Sequence, residues 1–158
     1  WHKEVCEGLV GQYRDGFKGV FTYGNAQKWV NMTLKYADML IHVYSEFTID
    51  MPSWMSVVKQ YHNCLHVPVD SYVIEAVWEK PDNIKEELLP LDEEKRLKKD
   101  NSWGKYSSEK VKGWSSWGQD EYLCFHDKLG SFIIEPPIEW EATEWIRIAK
   151  QRNRRLKR

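Results

Sequence analysis

Apolar residues recur at three- and four-residue steps through most of the chain, the spacing of one helix face. From Asn25 to Glu46, Ala26, Trp29, Val30, Leu34, Ala37, Leu40, Ile41 and Tyr44 follow this rhythm. Met32, Tyr36, Met39 and Val43 widen the stripe over most of the circumference, which predicts a helix in the middle of a bundle. Residues 3–14 predict an earlier helix with Val5, Leu9, Val10 and Tyr13 on one side, ended by Gly16 and Gly19. Pro52 and Ser53 open a helix to about Asn63, with Trp54, Val57, Val58 and Tyr61 facing inward. Asp70 is placed to cap a helix running through Trp78, its side-chain oxygen accepting from the first free backbone amides. A further helix lies within Trp114 to Leu129, capped near Ser116 and closed by Gly130. Pro136 and Pro137 introduce a last helix, Ile138 to about Arg155, with Ile138, Trp145, Ile148 and Ala149 buried. Between them, residues 80–113 are dense in charge and read as an exposed loop with one or two short polar helices. No strand pair is evident. The expectation is an all-α, single-domain helical bundle of five to six main helices with a charged central loop.

Composition sharpens this only in places. A chain of 158 residues with 42% hydrophobic side chains suffices for one core. Nine tryptophans read first as a Trp-rich core and second as stacking or interface groups. Trp103, Tyr106, Trp114, Trp117 and Trp140, with Lys105, Lys110 and Lys112 among them, form an aromatic-basic region of that second kind. No apolar stretch reaches the roughly 20 residues of a membrane span. Three widely spaced cysteines point to a reduced, cytoplasmic setting. The chain begins at Trp1 rather than Met, as a piece of a longer chain would.

Charge is unevenly placed. The last twelve residues hold seven basic and no acidic side chains, whereas the other 146 hold 16 basic and 24 acidic ones. Arg147, Lys150, Arg152, Arg154 and Arg155 begin this tail. Such a tail suits nucleic acid, an acidic surface, or the protein's own acidic body.

Candidate chemistry centres on Gly24-Asn25-Ala26-Gln27-Lys28-Trp29 at the start of the long helix, followed by Val67-Pro68-Val69-Asp70-Ser71. These segments resemble the catalytic core of the helix-hairpin-helix DNA glycosylases. The resemblance implies base excision on double-stranded DNA, with Lys28 as the amine nucleophile and Asp70 as the catalytic carboxylate. It also implies that the Gly24 turn holds a DNA phosphate through backbone N–H groups, with Gly24, Asn25, Gln27 and Trp29 facing the nucleic acid. A lysine in an apolar setting has its charged form disfavoured, which helps such a nucleophile. No cofactor and no metal is expected. His62, Cys64 and His66, two residues apart, form a weak metal-ligand pattern without a second ligand pair. No phosphate-loop or dinucleotide-binding motif occurs. The alternative is a non-catalytic helical interaction module whose aromatic surface binds a protein partner or a second copy.

Overall fold

A computed structural model describes residues 1–14, 20–47, 49–90 and 111–156. Among them are seven α-helices, two 3-10 turns and no strand. The helices are α1 (His2–Tyr13), α2 (Tyr23–Glu46), α3 (Ser53–Gln60), α4 (Ser71–Trp78), α5 (Asp82–Leu88), α6 (Gln119–Leu129) and α7 (Pro137–Leu156). The all-α expectation holds; the helix count is higher than the expected five to six. The seventh helix, α5, lies in the charged stretch where a short polar helix is expected, and it is held there because Leu88, with Leu89 just beyond it, reaches the core. Residues 91–110, with Trp103, Lys105, Tyr106 and Lys110, lie outside the described residues.

α2 is the hub, packing on α1, α3, α6 and the 3-10 turn at Trp114–Ser116. α4 packs on α7 and α5. The core lies where Ala26 and Val30 of α2 meet Val67, Val69, Val73 and Val77, with Trp117, Tyr122, Phe125 and Ile148 closing it. A fully buried Val, Ile or Phe among them contributes about 1.5–3 kcal/mol. Trp78, Trp117 and Trp140 are in the core, but Trp1, Trp29, Trp54 and Trp145 are exposed. The tryptophans therefore divide between interior and surface.

Three expectations are corrected. The second half of α2 does not sit in the middle of the bundle: Tyr36, Met39, Leu40 and Val43 are exposed. In α3 it is Met55 that is buried, while Trp54, Val57 and Tyr61 face outward. A periodic stripe identifies a face and not what covers it. α6 begins later than Ser116, which belongs to the 3-10 turn and bonds Gly113 O. The Glu121 carboxylate instead accepts from Gly118 N–H at 2.6 Å, fixing the helix start.

Candidate functional site

α2 begins at a tight junction. Thr22 caps it, accepting from Asn25 N–H. Gly24 N–H donates to Trp117 O at 2.9 Å. A Cβ at Gly24 would overlap the Trp114 carbonyl oxygen, so glycine is required there by close approach of two backbones. The amides at Gly24 and Asn25 are thus spent within the protein, and the expected phosphate cradle is not formed by them.

Gln27 and Asn31, one turn apart, are both fully buried. They serve the extended 67–69 segment. Gln27 Nε2 donates to Val69 O at 3.1 Å, and Val69 N–H donates back to Gln27 Oε1 at 3.2 Å. Asn31 Nδ2 lies 3.1 Å from Val67 O and 2.7 Å from the Tyr122 hydroxyl. Gln27, expected at a DNA surface, is instead a structural clamp. Trp29 remains at the surface, edge-on to Phe21 and Tyr13.

That clamp places Asp70 directly beside α2. Asp70 caps α4 as expected: its Oδ1 accepts from Tyr72 N–H at 2.8 Å and Val73 N–H at 3.0 Å. Its Oδ2 accepts from Lys28 Nζ at 2.8 Å. The two residues, 42 apart in the chain, retain 20% and 14% side-chain exposure. The structure therefore brings Lys28 and Asp70 together at the surface. The setting is ionic rather than the apolar one expected for Lys28. Two turns along α2, Lys35 Nζ donates to Glu141 Oε2 of α7 at 2.5 Å. Glu141 is almost fully buried. Burial pushes its carboxyl above the usual glutamate range, against the opposing effect of Lys35; the charges of Asp70 and Lys28 also reach it. Lys35 was readable in principle, being seven residues from Lys28 and so on the same helix face. Glu141 has no local sequence signal.

The basic tail turns inward. Arg152 Nε donates to Glu75 at 2.7 Å, Arg155 pairs with the other Glu75 oxygen at 2.8 Å, and Arg147 bridges Glu79 and Glu144. The Arg152 guanidinium also lies 3.9 Å over the Tyr72 ring, which stacks on Trp145. Three of the five arginines and lysines expected on phosphate thus hold α7 to the acidic body. Lys150 and Arg154 are exposed and carry no ion pair among the described residues.

The closely spaced histidines diverge. His62 sits between Asp38 at 2.8 Å and Glu139 at 2.9 Å; the bond to Asp38, then that to Glu139, raises its pKa despite partial burial. His66 stacks between His126 and His2, with centroids 3.5 and 4.2 Å away. Burial lowers the pKa values of His66 to about 3 and His2 to about 4. Cys64 is exposed. Among the described residues no group of three His, Cys, Asp or Glu side chains has a metal-binding arrangement, so the 62–66 pattern does not converge. No helix of the described residues is long and apolar enough to cross a membrane.

No known protein family, curated protein or solved structure matches the chain.

Proposed function

We propose that the chain excises a base from DNA through an amine nucleophile at Lys28. The observation that carries this reading is the Lys28–Asp70 pair itself. The two segments that carry the resemblance, distant along the chain, meet at 2.8 Å in a part-buried pair that still reaches solvent.

The division of labour at Asp70 suits that chemistry. Oδ1 is held by two backbone amides, which fixes the carboxylate. Oδ2 faces the amine and can take the proton that Lys28 must lose before its lone pair attacks. Attack at the sugar carbon forms a carbon–nitrogen bond as the bond to the base breaks. The base leaves with the electron pair and takes up the proton that Asp70 accepted, which returns Asp70 to its carboxylate. The sugar ring then opens to a protonated Schiff base on Lys28, and the Asp70 carboxylate stabilises positive charge on the sugar. The target nucleotide must leave the base stack for this. Lys150 and Arg154, exposed on α7, are the tail residues that would meet phosphate in this reading.

Borohydride trapping on duplex DNA with an abasic site is the test. The Lys28 amine and the sugar aldehyde lose water to give an imine, which hydride reduces to a stable amine. A covalent adduct that is absent in Lys28→Ala is the expected result. No adduct, with no DNA binding at low salt, would sink the reading.

A second reading rests on a different observation. Tyr36, Met39, Leu40 and Val43 of α2 with Phe47 at its end, and Trp54 and Val57 of α3 with Tyr61 at its end, leave large apolar side chains exposed. Such surfaces mark interaction sites. In this reading the chain is a helical interaction module, and its binding should depend far less on salt than phosphate contact does.

A further inference from the structure

We propose that the hollow between α2 and α7 binds a single planar nitrogen heterocycle of nucleobase type, one that presents N–H donors at its edge. As a pocket for the excised base this rests on the reading above; as a binding site it stands alone.

The hollow measures about 320 Å³, within the range of ligand sites. Its apolar side includes Met39, Ile138 and Trp145, and its polar side Lys35, Asp38, His62 and Glu139. It continues the ionic row from the Lys28–Asp70 pair. Lys35, on its wall, lies two turns from Lys28, about 10 Å along the helix axis. Trp145, also on its wall, stacks on Tyr72 with centroids 4.6 Å apart, and Tyr72 N–H is bonded to Asp70.

Two features favour a flat ring with N–H groups. Trp145 is 37% exposed and ends the ladder Arg152–Tyr72–Trp145, so a base can extend the stack. The polar wall sets two carboxylates beside the Lys35 ammonium, so it offers acceptors with one cationic donor next to them. His62 holds one oxygen each of Asp38 and Glu139. That fixes both carboxylates while leaving each a second oxygen, with Asp38 Oδ2 at 3.9 Å from His42 Nε2. Carboxylate oxygens accept only, so they select a ring edge with N–H donors. A guanine-type edge, with a ring N–H beside an amino group, meets that demand better than uracil.

The test uses the full chain without DNA. ¹H–¹⁵N spectra are recorded while 9-ethylguanine, cytosine or uracil is added. The expected result is a saturable shift of the Trp145 indole N–H with 9-ethylguanine, weaker with uracil. Trp145→Ala should weaken binding by roughly five- to hundredfold, the range of one base–aromatic stack. Should that variant unfold, Glu139→Gln serves instead. Glu139 is exposed, and its change should erase the preference for 9-ethylguanine over uracil. No shift at Trp145, or equal binding of all three rings by the parent protein, overturns the proposal. Base binding without a trapped DNA adduct would keep the hollow and discard the excision chemistry. An adduct without base binding would do the reverse.

Discussion

Two faces of α2 use polar side chains in opposite ways. On one, Gln27 and Asn31 are neutral, completely buried and bonded to the backbone of residues 67–69. On the other, Lys28 and Lys35 are charged, partly exposed and paired with carboxylates from α4 and α7. The neutral face sets where the chain goes, since buried amides must find partners with fixed geometry. The charged face is what the fold presents once that placement is made. One helix, starting from one glycine junction, therefore specifies both the architecture and the candidate chemistry.

Substitutions separate the two faces. The largest loss is expected at Asn31→Ala, which removes buried bonds to Val67 O, Gln27 Oε1 and the Tyr122 hydroxyl at once. It should cost about 2–4 kcal/mol, read from urea unfolding. A loss below 1 kcal/mol would mean that the neutral face does not hold the fold.

Lys35→Met should come next, at about 2–3 kcal/mol near neutral pH, because Glu141 would be left buried without its partner. The sign with pH follows from the raised Glu141 pKa. A carboxyl with a higher folded than unfolded value costs stability as pH rises through the folded value. The deficit of the variant should therefore be greatest at neutral pH and fade as pH falls toward 4.5, the ordinary glutamate value. A deficit independent of pH would mean that the loss is one of packing alone.

The smallest effect is expected at Lys28→Ala, within about 0.5 kcal/mol, because the part-buried pair still reaches solvent and Asp70 keeps its capping bonds. Asp70→Ala should cost about 1 kcal/mol through the lost cap. Equal losses at the two positions would indicate that the ion pair, not the cap, is the stabilising element.

Much of the framework was legible in the sequence, for identifiable reasons. The helical period located α1, α2 and α7 closely. The position of Asp70 after Pro68 predicted the α4 cap that the structure contains. The segments of Lys28 and Asp70 are both legible as candidate chemistry from the sequence, and their side chains meet at 2.8 Å. What escaped was tertiary. Exposed Trp54 and Tyr61 show that an apolar stripe does not reveal whether a neighbour covers it. The arginines of α7 read equally as phosphate ligands or as partners for Glu75 and Glu79, and only packing decides. Gln27 looked like a polar surface residue because nothing local marks an amide that will satisfy a distant backbone.

That amide has one more consequence. The 67–69 segment belongs to no helix or sheet, yet Gln27 meets both the N–H and the C=O of Val69 as a neighbouring strand would. At Val69 a single side chain thus takes the place of a neighbouring strand, and with Asn31 on Val67 O it occupies backbone groups that would otherwise be free to pair with another chain. The Val69 amide should accordingly exchange with deuterated solvent as slowly as those in the middle of α2, and it should be released only when the whole helix parts from the segment.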